Sequence, residues 1–337
     1  MEQKRLKGRG LEEVAHYFFS SKTHPDQSAA LPQEESPAKV FALVSLVEDL
    51  PTPFLTANLS LELSYRKQKV LVADTSWGMM NNFFALGMEK AFTPIEQFLT
   101  GEDWEVMVNG PLGIKLLTFP LDPTRLALLK SIQPGGLFRS LVREEQRSDV
   151  LLVNMTYQPQ NLLGPALQVF SVAQEVLVLA SSDLKGLKSC YRFMKSLFRQ
   201  HQRAHFGILL CHSVTLGDPK DRFEVLAEAV TKFLGRKLKG YGHLIHDRQL
   251  YLSLVHGKPL CRGPERDSNV QVFAEMAKMI SGQNSKDTPL LDLIRASERR
   301  LLLETLSSPA SAAVPASFSA SLSREEETFF TLYASGR

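Results

Sequence analysis

Three short polar segments of the chain could do chemistry, because each directly follows an apolar run that predicts a buried strand. The first covers residues 46–53, the second begins at Asp74 and the third begins at Asn154. In a parallel sheet, ligands bind beyond the carboxyl ends of the strands, so these segments are the candidates for a binding or catalytic site. What they do there depends on whether they offer the backbone donors that hold phosphate and the oxygen ligands that hold magnesium.

The elements that would position these segments alternate between strand and helix. Apolar, β-rich runs predict strands over 40–45, 70–74, 114–119, 150–155, 175–181, 206–212 and 240–245. Helical or connecting segments follow them over 55–65, 94–100, 124–143, 161–172, 184–200, 223–234 and 270–280. This order predicts an α/β fold, with a single doubly wound, mostly parallel sheet that has helices on both faces.

The composition of the whole chain is that of a globular protein. It has 337 residues, of which 44% are apolar and 22% are charged, so a wholly disordered chain and a disulfide scaffold are excluded. The net charge of +3 is too small to indicate a nucleic-acid partner. We predict one α/β domain over residues 39–281. Around it we predict an amphipathic helix over 1–21, a linker over 22–38, an amphipathic helix over 282–307 and a disordered tail over 308–337.

The cysteines and the hydropathy indicate where the protein works. Cys190, Cys211 and Cys261 have no zinc-ligand spacing, and the first two lie in apolar stretches, which favours buried thiols in a reducing compartment. The basic N-terminus lacks the apolar segment of a secretory signal, and no window is long and apolar enough to span a bilayer. We therefore expect a cytoplasmic protein and leave open a peripheral contact with the inner face of the membrane.

Several blocks of sequence resemble the MinD/ParA/FlhG family of P-loop ATPases, which carry a deviant Walker A loop. The blocks are VFALVSLVEDLPTPFLTANLSLEL (40–63), KVLVADTSWGMMNN (69–82), and a later stretch containing FGILLCHSV and GYGHLIHDRQLYLSLVHGKPL. Ser45 and the turn over 56–60 match the family well, and the resemblance covers about residues 39–281. It implies a three-layer P-loop NTPase-like fold with ATP and magnesium as cofactors.

The nucleotide loop departs from that family at each position that contacts phosphate or metal. The family's signature lysine, glycines, Walker lysine and magnesium-binding threonine fall here on Val47, on Glu48, Asp49 and Pro51, on Thr52 and on Pro53. A phosphate cradle needs glycines, so that consecutive N–H groups converge on the anion, and a proline removes its own N–H group. Two carboxylates would also repel the phosphates.

The other two segments also lack acidic residues that the family has at the corresponding positions. Asp74 is retained, but the second acidic position of its strand falls on Ser76, and the Walker B aspartate falls on Asn154. An amide is a poor replacement for a carboxylate at a magnesium ion. We therefore predict that the chain is not an enzyme, has no catalytic residues and no metal site, and has lost ATP and magnesium.

Two surfaces are candidates for contact with other molecules. Candidate residues for a protein partner lie in the N-terminal helix and after the second strand: Leu11, Val14, Phe18, Phe19, Trp77, Met80 and Phe83. Candidate membrane residues lie in the amphipathic segment over 289–306: Leu290, Ile294, Leu301 and Leu302. Family members carry a membrane-binding helix at the latter place, although docking on the chain's own domain or on a partner is an open alternative.

Neither the histidines nor the basic runs indicate a more specific chemistry. The His201/His205 and His243/His246 pairs lack the further ligands of a metal site, and only His212 ends a strand at the nucleotide side. The basic run over 185–203 has an apolar stripe, which predicts a surface helix with a solvated basic face rather than a nucleic-acid site. A small-molecule substrate is likewise not indicated.

These observations favour a catalytically inactive MinD/ParA/FlhG-like protein. Its function would be that of a binding adaptor or regulator in bacterial spatial organisation, whether flagellar, polar or division-related, with another protein as its partner. Two alternatives remain open. One is an ATPase with an unorthodox phosphate loop that binds ATP and dimerises, and the other is a nucleotide-independent membrane or DNA tether.

Overall fold

The computed structural model describes residues 38–74, 81–88, 107–118, 147–155, 173–200, 204–212, 218–263, 268–282 and 321–334. All of them belong to one compact unit, Ser36–Arg337. The helix predicted over 1–21, nearly all of the linker over 22–38 and nearly all of the helix predicted over 282–307 lie outside the described residues.

Eight described strands form one sheet. They are β1 (Lys39–Ser45), β2 (Val70–Asp74), β3 (Met107–Asn109), β4 (Lys115–Thr118), β5 (Val150–Met155), β6 (Glu175–Ser181), β7 (Phe206–His212) and β8 (Lys239–Ile245). Their order across the sheet is β3-β4-β2-β5-β1-β6-β7-β8. All neighbours are parallel except the pair β3 and β4, and the sheet extends from β1 in both directions. The predicted fold class is therefore confirmed, and only the three-residue antiparallel strand β3 was not predicted.

The described helices follow in chain order. They are α1 (Thr52–Tyr65), the single turn α2 (Asn82–Ala85), α3 (Leu184–Gln200), α4 (Pro219–Leu234), α5 (Arg248–His256), α6 (Ser268–Ser281) and α7 (Arg324–Ala334). Short 3-10 turns lie at Pro111–Gly113 and Leu260–Arg262.

Both faces of the sheet are covered. Along β1, Val40, Ala42 and Val44 point to a core shared with α3, α4 and α7. Phe41 and Leu43 point to a second core shared with α1, α2, α5 and α6. Because side chains alternate along a strand, burial on both faces requires the continuous apolar runs seen in the sequence.

The C-terminal region differs from the prediction. A disordered tail over 308–337 is wrong for residues 324–334, which form α7. The side chains of Phe329 and Phe330 are buried in the core beneath α3 and α4. The Glu326 N–H donates to Ser323 Oγ, and the Ser323 N–H donates to the Glu326 carboxylate (2.6 Å), which is a capping box. This cap and the two phenylalanines stabilise a helix after a low-complexity segment.

The predicted solvated basic face of α3 is only partly right, because α7 covers Lys188 and Lys195 while Arg192 and Arg199 are exposed. Lys195 Nζ lies 2.6 Å from Glu326 Oε2, and Lys188 Nζ lies 2.5 Å from Glu327 Oε2. The Tyr191 hydroxyl donates to Glu326 Oε1 (2.6 Å), and its ring packs edge-on against Phe330. Two of the basic residues of α3 therefore serve an intramolecular contact.

Candidate functional site

The segment after β1 closes on itself through hydrogen bonds. The Ser45 N–H donates to Thr52 Oγ1 (3.0 Å), and the Thr52 hydroxyl donates to the carbonyl of Met155 (3.2 Å) at the end of β5. The Val47 N–H donates to Ser45 Oγ (3.2 Å), and the Leu50 N–H donates to the Val47 carbonyl (3.2 Å). Thr52 therefore joins the ends of β1 and β5, at the position where the resemblance expects a lysine.

The neighbouring backbone donors are also engaged inside the protein. The Leu46 N–H donates to the carbonyl of Leu179 (2.8 Å), and the Phe54 N–H donates to the carbonyl of Pro51 (3.0 Å). Pro51 and Pro53 have no N–H group to offer. A phosphate cradle needs several N–H groups directed at one anion, and these donors are directed at protein oxygens instead.

The tip of this segment places negative charge at the carboxyl edge of the sheet. Glu48 and Asp49 are exposed, whereas Leu50 is fully buried and anchors the turn in the core. Burial, and then the charge of Asp49, raise the pKa of the Cys211 thiol at the end of β7 to about 11. This loop therefore adds two exposed carboxylates to the carboxyl edge of the sheet.

A buried polar cluster lies at the ends of β2 and β5. Asp74 Oδ1 accepts a hydrogen bond from Asn154 Nδ2 (2.7 Å), and Asp74 Oδ2 accepts one from the Asn82 N–H (2.8 Å). All three residues are fully buried, and Asp74 and Asn154 are direct neighbours in the parallel pairing of the two strands. Among the described residues, neither side-chain amide atom of Asn82 has a hydrogen-bond partner. The Asp74 carboxylate is thus held by an amide at the position where the resemblance expects a second carboxylate.

A small pocket lies beside the closed segment. Its lining comes from the start of α1, from the α2 turn and from α5: Pro51, Pro53, Phe54, Asn81, Phe84, Ala85, Ser253, Leu254 and Gly257. Gly257 has a φ of 58°, and a Cβ atom on it would lie 2.7 Å from the Phe84 carbonyl oxygen. Only glycine allows the end of α5 to approach the α2 turn this closely.

A hydrogen bond joins helix α1 to the chain that follows α5. Asn58 Nδ2 donates to the carbonyl of Phe54 (2.9 Å), and Asn58 Oδ1 accepts from the Cys261 N–H (3.1 Å). Asn58 is fully buried, so this residue, which matches the resemblance, has a structural role here. Cys190, Cys211 and Cys261 are buried free thiols, as predicted for the first two.

Several solved structures have the same fold. The cell division ATPase MinD of Pyrococcus furiosus is 16% identical, covers 72% of this chain and 98% of its own, and has a TM-score of 0.55. A ParA family ATPase of Chlorobium tepidum is 15% identical over 72% and 98% of the two chains, also with a TM-score of 0.55. The MinC:MinD cell division protein complex of Aquifex aeolicus gives 17% identity over 74% and 98%, with a TM-score of 0.52.

The chain has the MinD/ParA fold. No protein-family model matches it, and no curated protein sequence does either. The MinD/ParA fold was predicted from the blocks of sequence around β1, β2, β7 and β8.

The structure brings most of the predicted nucleotide-loop positions together. Because β2, β5 and β1 are adjacent, the segment over 47–53 lies at the same sheet edge as Asp74 and Asn154. Ser76 lies outside the described residues.

Of the residues predicted to contact a partner or a membrane, only Phe83 lies among the described residues. Phe83 is wrong as an exposed contact residue, because its side chain is buried in the core that α1 and α6 share. The other candidates for partner or membrane contact lie outside the described residues: Leu11, Val14, Phe18, Phe19, Trp77, Met80, Leu290, Ile294, Leu301 and Leu302.

Helix α5 was not predicted, although it forms one wall of the pocket. Asp247 caps its start by accepting from the Leu250 N–H (2.8 Å), and Gly257 ends it in the left-handed conformation. An N-cap aspartate and a C-terminal glycine ten residues later are the sequence features that could have identified this helix.

Metal clusters and membrane spans are both absent from the described part of the chain. No described group of three or more His, Cys, Asp or Glu side chains is arranged to hold a metal ion. No described helix combines the length and the apolar character that crossing a membrane requires.

Proposed function

We propose that the chain is a catalytically inactive MinD/ParA-type protein that acts in the bacterial cytoplasm as a binding adaptor in spatial organisation, whether flagellar, polar or division-related. The observation that carries this proposal is the closed segment after β1. Its Ser45, Val47 and Leu50 N–H groups donate to oxygens of the same segment, and the Thr52 hydroxyl bridges to β5. ATP would have to displace these contacts before these three N–H groups could bind its phosphates.

The charges at the site support the same proposal. Glu48 and Asp49 occupy the loop that would face the phosphates, and no lysine lies between residues 40 and 66. At the ends of β2 and β5, magnesium would find one carboxylate, that of Asp74. The amide of Asn154 already donates a hydrogen bond to that carboxylate and would not replace a second one as a ligand. The residues present therefore do not fit a magnesium–nucleotide complex, and we derive no catalytic step through one.

A protein partner is the class of ligand that this proposal requires. In the Aquifex aeolicus structure MinD is in a complex with MinC, so a protein of this fold assembles with another protein. By analogy, we propose that the present chain also acts by binding a protein, with the fold serving as a scaffold.

Calorimetry tests the proposal directly. The full chain is titrated with ATP and with ADP in the presence of magnesium, and its oligomeric state is measured with and without nucleotide. We expect no binding heat, no change in melting temperature and no change in mass, because a ligand that binds the folded state raises its stability. Micromolar binding, or a dimer that forms only with ATP, would instead support the alternative of an ATPase with an unorthodox phosphate loop.

A further inference from the structure

Helix α5 presents apolar side chains to solvent. Tyr251, Leu252 and Val255 are 55%, 37% and 52% exposed. They make up three of the seven large apolar side chains that are exposed among the described residues, although α5 has only nine residues. No described element covers this side of α5. Exposed apolar side chains concentrated in one place are typical of an interaction site.

The buried side of α5 borders the pocket. Ser253, Leu254 and Gly257 of the same helix end line the pocket, opposite Pro51 and Phe84. The pocket has room for about one water molecule, so a partner of α5 contacts the exposed side chains and does not enter the pocket.

The exposed charged side chains of α5 and of the turn that follows it are basic. Arg248, His256, Lys258 and Arg262 are exposed. Between residues 242 and 263 the only acidic residue is Asp247, and its carboxylate caps α5. A complementary partner surface is therefore apolar and acidic, because opposite charges steer association and like charges oppose it.

The chain itself contains a contact of this kind on the other face of the sheet. There the basic and apolar side of α3, with Lys188, Tyr191 and Lys195, is covered by the acidic and aromatic helix α7. Glu326 and Phe330 of α7 supply the matching charge and ring. α5 has the same combination of basic and apolar residues, but nothing described covers it.

We propose that the exposed side of α5 is a docking site for an acidic amphipathic helix of a partner protein. This inference rests on the proposed adaptor function and names the class of partner. The partner helix lies along Tyr251, Leu252 and Val255 and directs its carboxylates to Arg248 and Lys258.

Site-specific photo-crosslinking tests the proposal. The full chain carries benzoylphenylalanine in place of Tyr251 and is irradiated in its native cells, and the crosslinked segment is identified by mass spectrometry. The matched control carries the same group in place of Tyr65, which is 49% exposed at the end of α1. We expect adducts at position 251 that the control lacks, and we expect them on an acidic segment with helical apolar spacing.

A synthetic peptide of the crosslinked segment then provides the affinity. We expect Leu252→Ala/Val255→Ala to weaken its binding to the full chain about tenfold or more, and Arg248→Glu to weaken it to a similar extent. Tyr65→Ala should bind like the unaltered chain. These side chains are exposed, so the variants should fold, which their unfolding curves will check.

Several results would overturn the docking site. They are no adduct above the control, adducts on lipid, adducts on a second copy of the chain, a crosslinked segment that is not acidic, or a peptide whose affinity the variants leave unchanged. The nucleotide titration separates this failure from failure of the proposed function. If ATP binds, the adaptor proposal fails whatever crosslinks to α5, and if ATP does not bind but no acidic helix is found, only the docking site fails.

Discussion

At the scale of single residues, the exchange of a carboxylate for an amide at position 154 changes what the site can hold. The Asn154 amide donates to Asp74 Oδ1 at 2.7 Å, so it satisfies a buried carboxylate without adding charge. Two carboxylates at this separation would repel each other unless they shared a proton or bound a cation. Asn154 therefore allows Asp74 to remain buried without a metal ion.

The variant Asn154→Asp tests this account. We expect it to lower the free energy of unfolding at pH 7 by about 2–4 kcal/mol, because the pKa of the carboxyl pair rises in the folded state. A pKa raised on folding means that the folded state binds more protons, so the deficit should shrink as the pH falls from 7 towards 4. Urea unfolding at several pH values measures it, and Asn109→Asp, at an exposed strand position, is the control.

Adding magnesium to the Asn154→Asp variant could contradict this account. If millimolar magnesium restored the stability of Asn154→Asp at pH 7, the site would retain the geometry of a metal site, and the account of Asn154 as a replacement for the metal would be wrong. We expect magnesium to have no effect, because the closed segment before α1 has a proline at the position of the magnesium-binding threonine.

At the scale of elements, burial decided which parts could be predicted from the sequence. The strands β2, β5, β6 and β7 were predicted with their observed bounds, because strands buried on both faces need unbroken apolar runs. The helices α5 and α7 were not predicted, since each is short and is defined by capping residues more than by its apolar pattern.

The candidate site was predicted in its composition but not in its geometry. The positions of Thr52, Asp74 and Asn154 and their shared sheet edge follow from strand order in a doubly wound fold. The hydrogen bond from Thr52 to the Met155 carbonyl joins residues 103 positions apart, so no local pattern could indicate it.

The docking of α7 on α3 gives a prediction about pH. Burial disfavours the charged form of Glu326, but hydrogen bonds from Lys195, Tyr191 and the Ser323 N–H outweigh it and lower the pKa to about 2 from 4.5. Each pKa unit corresponds to about 1.4 kcal/mol, so ionised Glu326 stabilises the fold at neutral pH by on the order of 3 kcal/mol. A depressed folded-state pKa means that this contribution is complete above pH 4.5 and is lost as the pH falls towards 2.

The variant Glu326→Gln should therefore lower the stability by about 2–3 kcal/mol at pH 7, with a deficit that narrows below pH 4.5. Thermal and urea unfolding at pH 7 and pH 3 measure the difference. Glu325→Gln, on the exposed side of the same helix, is the matched control and should change the stability by less than about 0.5 kcal/mol. Equal effects of the two variants at pH 7 would show that the contact with Lys195 contributes nothing.

At the scale of the whole molecule, the two ends of the sheet have different tasks. The carboxyl ends carry the closed segment, the Asp74 cluster and the pocket beside α5. At the amino ends, the Tyr241 hydroxyl donates to Glu175 Oε2 (2.9 Å) and accepts from Lys239 Nζ (2.8 Å). This buried network joins β6 to β8 across Gly207 of β7, and nothing in it faces the proposed docking site.

Substitution at Gly207 should therefore affect stability without affecting recognition. A Cβ atom there would overlap the Tyr241 ring and Glu175 Oε1 and would lie 2.8 Å from Leu177 Cδ2. We expect Gly207→Ala to lower the free energy of unfolding by about 1–3 kcal/mol, because overpacking displaces the buried network. Gly240→Ala in β8, whose Cβ would lie 3.2 Å from the Phe223 ring, should lower the free energy of unfolding by less and serves as the control.

In the folded state, crosslinking from position 251 should be the same for both variants, since the network and α5 lie at opposite ends of the sheet. Loss of crosslinking in Gly207→Ala at a temperature where the chain remains folded would show that the two ends are coupled, and the division of tasks would then be wrong.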